Sequence, residues 1–440
     1  MSRARPPLPG GPYLVVGLAR SGAAVARALV PHGEVLGADT GAPPGAEQLD
    51  GVDLRLNASG LDLLARARTV VKSPGVSSSA PVVHAARQRG VPVVGELEIA
   101  WRLIPNDFVA VTGTNGKTTT VELLGAIHRT AGVPVRVAGN VGTALASLVG
   151  RIEPDAVVVC EASSFQLEDA DRFAPECAVL LNVTPDHLDR HGTLEAYRAA
   201  KMRVFARQEA GDVAVAPRAL EIPGAARRVT FGGRDADLTL HDGRLEWKGA
   251  ALMAAEKVRL RGDHNLENAM AAAAAALARG VAPEAVREAL STFAGVPHRL
   301  EEVARRDGVL YVNDSKATNP DSARVGIGAF PGGVHVILGG SLKGGGFETL
   351  REPVASRCRA AYLIGEAAER LAEDLEGTVP LERCGDLERA LSAASAAACS
   401  GEVVLLSPAC ASFDQYSSFE ERGAHFRRLA TGDREDAAPA

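Results

Sequence analysis

Several features that mark secreted or metal-rich proteins are scarce in this sequence. The 440 residues include only six cysteines, none in a Cys-x-x-Cys pair or beside a histidine cluster: Cys160, Cys177, Cys358, Cys384, Cys399 and Cys410. Disulfide frameworks and structural zinc sites need cysteines at close, regular spacings, so this distribution argues against both. We expect the cysteines to be small buried apolar residues in a reducing cytoplasm.

Long apolar runs and an excess of one charge are also missing. No run of about 18 apolar residues occurs, so we expect no transmembrane helix. The N-terminal MSRARPPLPGG lacks the apolar region of a secretory signal. The 48 basic and 54 acidic residues give a net charge of −6, without a long block of either sign. Nothing here indicates nucleic-acid or anionic-membrane binding, and we expect a cytoplasmic protein.

The length of the chain and the order of its predicted elements indicate three α/β domains. A chain of 440 residues is too long for one compact core, and 46% hydrophobic with 23% charged residues is ordinary for a globular protein. Predicted strands and helices alternate, which favours mostly parallel sheets. We predict a Rossmann-like N-terminal domain, a central domain of the P-loop ATPase type with a mostly parallel sheet, and a Rossmann-like C-terminal domain: residues 1–104, 105–297 and 298–440.

The most informative stretch is DFVAVTGTNGKTTT, which begins at Asp107. It predicts a strand, a glycine-rich turn and a helix that begins at Lys117, and the N–H groups of such a turn favour an anion. We expect Lys117 to reach the β- and γ-phosphates and the Thr118 hydroxyl to bind Mg²⁺. The first glycine of the usual pattern is replaced by Val111. We predict a nucleoside-triphosphate site at Gly113, Thr114, Asn115, Gly116, Lys117, Thr118 and Thr119.

Polar side chains follow the next predicted strands of the central domain. Glu161 ends an apolar strand from Asp155, which is the usual position of a magnesium ligand beside a phosphate loop. The stretch Thr184–Gly192 gathers acidic and imidazole side chains at another strand end, although a solvated polar loop would also explain it. Further on, Asn265 and Asn268 share one helical face, and two amides suit the edge of a nucleobase.

The N-terminal domain opens with a strand from Tyr13 that runs into GLARSG, and an Ala/Val-rich helix is expected from Ala23. A dinucleotide fingerprint would place glycine at Ala19 and an acid near Asp39. Because only the acid is present, an NAD site is a weak prediction. The alternative is a phosphate or uridine ligand at the helix N-terminus, with the turn Ser73-Pro74-Gly75 at the same sheet edge.

The C-terminal domain is predicted to carry polar loops after three of its strands. They are NDSKATN from Asn313, GGSLKG from Gly339 and SPACASF from Ser407. In open α/β sheets the carboxyl ends of the strands form the ligand-binding edge. We therefore predict that lysine, serine, threonine and asparagine side chains from these loops face a substrate.

Seven segments in this order resemble the Mur ligase family of peptidoglycan synthesis: TGTNGKTTT, EASSFQLE, DHLDRHG, GDHNLENAMAA, PHRLE, NDSKATNP and SPACASFDQYSSFEERG. The last of these, with GLARSG and SPG, is closest to the family members that add D-glutamate. The resemblance implies that ATP phosphorylates the carboxylate of UDP-N-acetylmuramoyl-L-alanine and that the D-glutamate amine attacks the acyl phosphate. It also implies two Mg²⁺ ions. From the charge distribution we expect no nucleic-acid partner, and we expect a monomer.

The resemblance assigns site residues position by position. Lys117, Glu161, His187 and Lys201 match catalytic positions, and Lys201 matches a lysine that is carbamylated by CO₂. With Thr118, the last three would hold the metal ions. The nucleotide would also contact Asn268, Arg299 and Asp314. The UDP substrate would contact Leu18, Ala19, Arg20, Ser21, Asp39, Thr40, Ser73, Pro74, Gly75, Asn140, Ser163 and His187. D-glutamate would contact Lys316, Thr318, Lys343, Ser412 and Phe419.

Four alternatives remain open at this stage. A folylpolyglutamate synthase would share the phosphate loop but would begin with it, whereas about 100 residues precede it here. A diaminopimelate-adding Mur ligase would carry Asp-Asn-Pro-Arg, which is absent. A non-catalytic nucleotide-binding regulator is disfavoured by the intact Lys117, Glu161, His187 and Lys201. A dehydrogenase is disfavoured by Ala19.

Overall fold

Three mainly parallel sheets form the framework of this protein, as seen in a computed structural model that describes residues 3–140, 142–342 and 346–432. The predicted α/β class is confirmed. The first two sheets belong to one compact unit and the third sheet to another: Met1–Arg259 with His264–Phe293, and Leu260–Asp263 with Ala294–Ala440. The boundaries of the three predicted domains stay a prediction.

The first sheet is all parallel, with the strand order β3-β2-β1-β4-β5. Its strands are short and largely buried: β1 Tyr13–Val16, β2 Val35–Asp39, β3 Val52–Leu56, β4 Thr69–Lys72 and β5 Val93–Gly95. Three helices accompany them: α1 Arg20–Leu29, α2 Pro81–Gln88 and α3 Glu96–Leu103. The order reverses between β1 and β4, and the crevice at such a point is the usual ligand site of an open α/β sheet.

The second sheet has nine strands in the order β14-β13-β12-β11-β10-β9-β6-β8-β7, and only its β12-β13-β14 edge is antiparallel. Its strands are β6 Phe108–Thr112, β7 Val135–Gly139, β8 Val157–Glu161, β9 Cys177–Leu180, β10 Val213–Pro217, β11 Arg227–Phe231, β12 Leu238–His241, β13 Arg244–Trp247 and β14 Ala250–Ala254. Its helices are α4 Lys117–Thr130, α5 Ser164–Glu168, α6 Leu188–His191, α7 Leu194–Met202, α8 Asp263–Ala278 and α9 Pro283–Thr292.

The third sheet has the order β15-β16-β20-β17-β18-β19, and only its first pair is antiparallel. Its strands are β15 Glu301–Arg306, β16 Val309–Asn313, β17 Val334–Gly339, β18 Cys358–Ile364, β19 Leu381–Gly385 and β20 Val403–Leu406. Its helices are α10 Pro320–Gly328, α11 Arg351–Arg357, α12 Ala368–Asp374, α13 Leu387–Ala397 and α14 Phe419–Thr431. Strands β16, β20 and β17 lie side by side, so the three predicted polar loops leave the same edge.

One helix begins earlier than the sequence pattern predicts. Helix α1 begins at Arg20 and not at Ala23, so the last three residues of the GLARSG segment belong to its first turn. Gly22 permits this, because a Cβ atom there would lie 1.7 Å from the Gly17 carbonyl oxygen. Helix α8 begins at Asp263 and includes Asn265 and Asn268, as the predicted helical face of these two residues requires.

Buried ion pairs join the first two sheets within their unit. The Arg5 side chain is bound by Glu176 at 2.8 Å and lies 4.8 Å from the centre of the Trp101 ring. Lys72, at the end of β4, pairs with Asp169 at 2.7 Å, and both side chains are almost fully buried. Apolar residues of both sheets also share one core. The two sheets are therefore packed as one body.

All six cysteines are free, and five of them are buried, as expected for small apolar residues. The exception is Cys399, which is exposed in the loop before β20. Within the part of the chain that the structure describes, no helix is both long and apolar enough to span a bilayer.

Candidate active site

The predicted phosphate loop connects the fully buried strand β6 to helix α4. Asn182, at the end of β9, holds the loop: its side-chain oxygen accepts hydrogen bonds from the N–H groups of Thr114 at 3.0 Å and Asn115 at 2.9 Å. These two predicted phosphate donors are thus already occupied. Helix α4 begins directly after the loop, and the N-terminus of a helix favours an anion.

Two glycines give the loop its shape. Gly113 and Gly116 have φ angles of 156° and 86°, which side chains rarely adopt. A Cβ atom on Gly116 would lie 2.0 Å from the side-chain oxygen of Asn268. The Asn268 amide in turn donates to Asn265 at 3.2 Å, as the shared helical face predicts. The start of α8 therefore packs directly on the phosphate loop.

Two lysines converge on one carbonyl group of this loop. The Gly113 oxygen accepts hydrogen bonds from Lys117 at 2.9 Å and from Lys201 at 2.7 Å. The Lys201 side chain comes from α7 and is 1% exposed. Burial, and secondly the charge of Lys117, lowers the pKa of Lys201 to about 7. A substantial fraction of this amine is therefore neutral at neutral pH.

Glu161 lies at the end of β8, next to the phosphate loop, as the sequence predicts. One of its oxygens accepts from the Thr118 hydroxyl at 2.8 Å and the other from the Asn140 amide at 3.1 Å. The side chain is buried, and Gly139 has to be glycine because a Cβ there would lie 2.3 Å from the Glu161 carbonyl oxygen. Three predicted residues, Thr118, Asn140 and Glu161, are thus connected by hydrogen bonds.

The metal-ligand prediction is chemically consistent with this arrangement. Among the described residues, no three His, Cys, Asp or Glu side chains form a group that would hold a metal ion alone. Magnesium sites of phosphoryl-transfer enzymes commonly use one or two carboxylates, with phosphate oxygens and water as the other ligands. The Glu161 carboxylate and the Thr118 hydroxyl, 2.8 Å apart beside a phosphate loop, fit that pattern.

His187 lies in the loop before α6 and is about half exposed. Its φ of 52° is uncommon for a residue other than glycine. The imidazole lies 4.9 Å from the Phe165 ring and 6.2 Å from the Tyr197 ring. Ser163 caps α5 in a capping box with Gln166, beside the same aromatic cluster. The predicted His187 and Ser163 therefore lie in one neighbourhood.

A cavity of about 540 Å³ lies at the edge of the first sheet, at its β1–β4 crevice. Its lining includes most of the predicted UDP-substrate residues: Ala19, Arg20, Ser21, Asp39, Thr40, Ser73, Pro74, Gly75 and Asn140. Asn140 also bonds to Glu161, so the cavity leads to the phosphate loop. Arg20 donates to the Gly142 carbonyl at 2.8 Å, so this predicted substrate residue also has a structural contact.

Three predicted residues do not line this cavity, namely Leu18, Ser163 and His187, and several lining residues were not predicted. The Leu18 side chain is buried in the core, although its N–H donates to Asp39 at 2.6 Å. That bond uses one oxygen of the carboxylate, and the Gly41 N–H uses the other. The lining residues that sequence reasoning missed are Val16, Gly17, Ala58, Ser59, Val76, Ser77, Ala80, Pro81 and Val82. They are small or apolar and carry no chemical signature.

The remaining predicted residues belong to the second compact unit. Asp314 accepts from the Ser407 hydroxyl at 2.7 Å and from the Leu300 N–H at 3.2 Å, and burial raises its pKa to about 6. Because Asp314 is enclosed, its contact with a ribose stays a prediction. The positive charge of Arg299 favours the ionised Asp314 carboxylate and so partly offsets the effect of burial on its pKa.

The predicted D-glutamate residues of this unit are also close to one another. Lys316 lies 5.9 Å from the centre of the Phe419 ring, and the Thr318 N–H donates to the Lys316 carbonyl. Ser412 is buried, and its hydroxyl has no hydrogen-bond partner among the described residues. A buried hydroxyl without a partner is costly, so it favours a ligand contact. Lys343 lies outside the described residues.

Comparison with known proteins gives matches along most of the chain. Residues 12–95 match the model of the Mur ligase MurD-like N-terminal domain, residues 111–276 that of the Mur ligase middle domain, and residues 298–410 that of the Mur ligase glutamate ligase domain. Two relatives are both named UDP-N-acetylmuramoylalanine–D-glutamate ligase. The protein of Acidobacterium capsulatum is 42% identical over 98% of each chain. That of Anaeromyxobacter dehalogenans is 45% identical over 97% of this chain and 99% of its own.

Solved structures show the same fold at low sequence identity. The UDP-N-acetylmuramate–alanine ligase MurC of Thermotoga maritima superimposes with a TM-score of 0.62 at 19% identity, covering 96% of this chain and 99% of its own. The MurF ligase of Thermotoga maritima, crystallised in complex with ADP, superimposes with a TM-score of 0.58 at 21% identity, covering 85% of this chain and 92% of its own.

Proposed function

This chain belongs to the Mur ligase family, and from that premise we propose how its residues carry out the reaction. It is an ATP-dependent ligase that joins D-glutamate to UDP-N-acetylmuramoyl-L-alanine through an amide bond, in peptidoglycan synthesis. The observation that carries the assignment is the near-complete match, above 40% identity, to relatives that bear this name.

The phosphoryl-transfer step is proposed to take place at the phosphate loop. A carboxylate and a triphosphate are both anionic, so their approach needs positive charge around the transferred group. Lys117 provides that charge from the first turn of α4, and the N-terminus of this helix would add a favourable potential for the phosphates. Lys117 now bonds to the carbonyls of Gly113 and Thr114, and we propose that it exchanges these for phosphate oxygens.

Magnesium would be held by Glu161 and Thr118, and a second ion by His187 and a carbamate on Lys201. Bound there, Mg²⁺ would neutralise the phosphate oxygens and the forming acyl phosphate. The buried, partly neutral Lys201 amine supports the carbamate, because only a neutral amine adds CO₂. The product would be an anion, which suits a metal ion better than an ammonium group does.

The substrates are proposed to bind at the two sets of loops described above. The UDP group would occupy the cavity at the β1–β4 crevice, with Asn140, Ser163 and His187 toward the muramoyl-alanine end. D-glutamate would bind at the loops after β16, β17 and β20, where Lys316 and the buried Ser412 hydroxyl suit its carboxylates. In the same unit, Arg299 and Asp314 would contact the nucleotide. We propose that the enzyme acts as a cytoplasmic monomer.

Phosphate release tests this function directly. With ATP, Mg²⁺ and UDP-N-acetylmuramoyl-L-alanine, we expect release with D-glutamate and not with L-glutamate, L-alanine or diaminopimelate. The Lys117→Ala variant should lose it, whereas Lys257→Ala, at a lysine of the short helix after β14, should keep it. Release with a different amine would reassign the enzyme within the family. A folded, ATP-binding protein that releases no phosphate with any amine would refute the catalytic function.

A further inference from the structure

Arg422, on helix α14, is a buried cation whose partners are unusual. The residue is 1% exposed. The guanidinium makes five hydrogen bonds: Nε to the Ser315 hydroxyl at 3.0 Å, Nη2 to the carbonyls of Ser315 and Cys410 at 3.0 Å each, and Nη1 to the carbonyls of Ala411 at 3.2 Å and Gly339 at 3.4 Å. A guanidinium has five N–H groups, so all of its donors are used.

These acceptors come from three separate loops at one edge of the third sheet. Ser315 follows β16, Gly339 ends β17, and Cys410 and Ala411 follow β20. They are the three polar loops that carry the proposed D-glutamate residues. Arg422 is therefore the one side chain that, among the described residues, is hydrogen-bonded to all three.

The charge of Arg422 is not neutralised by a direct ion pair. Within residues 3–140, 142–342 and 346–432, its hydrogen-bond partners are carbonyl and hydroxyl oxygens and no carboxylate forms an ion pair with it. Burial lowers its pKa to about 10, so the group stays protonated at neutral pH. The charge of the Asp414 carboxylate acts on the guanidinium without forming an ion pair with it. A buried positive charge without an ion pair raises the electrostatic potential around it and favours an anionic ligand nearby.

Two proposed D-glutamate residues, Phe419 and Ser412, lie next to the hydrogen-bond partners of Arg422. The Ser315 hydroxyl, which Arg422 holds, donates to the Phe419 carbonyl at 2.8 Å. Ser412 follows Ala411, whose carbonyl accepts from Arg422 and from the Ser341 N–H. The backbone approach is tight as well, because a Cβ atom on Gly340 would lie 3.0 Å from the guanidinium and 2.1 Å from the Ala411 oxygen.

We propose that Arg422 is a positioning residue for amino-acid specificity, which fixes the three loops in register and gives the D-glutamate site its positive potential. This inference rests on the proposed function of these loops. Lysine does not replace arginine here, because an ammonium group has three donors and no planar fork. The segments that Arg422 contacts carry Lys316, Thr318 and Ser412 but, of the proposed nucleotide residues, only Asp314, so the binding of D-glutamate should depend on Arg422 more than that of ATP or of the UDP substrate.

The test compares Michaelis constants for the three substrates in full-length variants. For Arg422→Lys we expect the KM for D-glutamate to rise at least tenfold, while the KM values for ATP and the UDP substrate change less than twofold. Ser315→Ala removes one of the five hydrogen bonds and should raise the KM for D-glutamate about threefold. Arg427→Lys is the matched control, because Arg427 lies on the same helix but pairs with Glu301.

The outcomes separate this inference from the proposed function. No D-glutamate-dependent phosphate release in the wild-type enzyme would refute the function. An active wild type whose Arg422→Lys variant keeps its KM for D-glutamate would refute the role of Arg422. Equal losses for all three substrates would assign Arg422 to general stability and also overturn the inference. If Arg422→Lys does not fold, the KM values of Ser315→Ala decide: a rise for D-glutamate alone supports the inference, and no rise or an equal rise for all three substrates overturns it.

Discussion

The charge of Lys117 is predicted to control the protonation of Lys201. Both amines donate to the Gly113 carbonyl, so their nitrogens are at most 5.6 Å apart, the sum of 2.9 and 2.7 Å. At that separation two positive charges repel by about 3 kcal/mol at an effective dielectric of 20 and by about 0.7 kcal/mol in water. This corresponds to roughly 0.5 to 2 pH units. Replacing Lys117 with methionine should raise the pKa of Lys201 by that amount, from about 7.

The assay is a titration of lysine side chains labelled with ¹³C, in buffer free of CO₂ so that no carbamate forms. The Lys201 resonance is identified by its loss in Lys201→Arg. Lys117→Arg keeps the neighbouring charge, so its Lys201 midpoint should stay near that of the wild type, while the midpoint of Lys117→Met moves upward. Burial remains in both variants, so neither midpoint should reach 10.5, the ordinary value for lysine.

Two results would refute this reasoning. A wild-type midpoint near 10.5 would mean that Lys201 is not desolvated as the structure indicates. Equal midpoints in Lys117→Met and Lys117→Arg would mean that the two amines do not interact. The functional consequence is direct: a pKa of about 7 instead of 10.5 increases the neutral, CO₂-reactive fraction about 3,000-fold at pH values well below both.

Two further predictions concern the packing of the first unit. Gly116→Ala should weaken ATP binding at least tenfold in calorimetry, because its Cβ would displace Asn268. The control Gly132→Ala, at a φ of 70° in open space, should lose about 1–2 kcal/mol of stability and keep its ATP affinity. Equal ATP affinities of the two variants would contradict the loop geometry. Lys72→Met should cost about 2–4 kcal/mol, because it leaves the buried Asp169 with only the more distant Arg87 at 3.5 Å. In thermal unfolding, the double variant Lys72→Met with Asp169→Leu should regain part of the stability lost in Lys72→Met. If it regains none, the loss in Lys72→Met does not come from the unpaired charge of Asp169.

Sequence reasoning located the strand ends because it depends on local pattern. Glu161 ends a buried β-branched run and Lys117 begins a helix, and both features are visible within a few residues of each chemical group. The element order then brings those ends to one edge of the sheet. The fold class and the phosphate loop follow from these signals.

Contacts between distant segments were beyond such reasoning. Asn182 binds the phosphate loop from 67 residues away, and Arg422 binds Ser315 from 107 residues away. Neither side chain has a local signature, because asparagine and arginine are ordinary at a strand end and on a helix. The small and apolar residues that line the β1–β4 cavity were missed for the same reason: they supply shape and no recognisable chemistry.

The distribution of thiols has a practical consequence for spectroscopy. Cys399 is the exposed thiol of the second compact unit, and the other five cysteines are buried. A maleimide dye added to the native protein should therefore attach at one position, in the loop before β20, away from the polar loops after β16 and β17 in sequence. One additional surface cysteine in the first unit would then give a donor–acceptor pair. Energy transfer between the two dyes would test whether the distance between the two labelled positions changes during turnover, without a cysteine-free background.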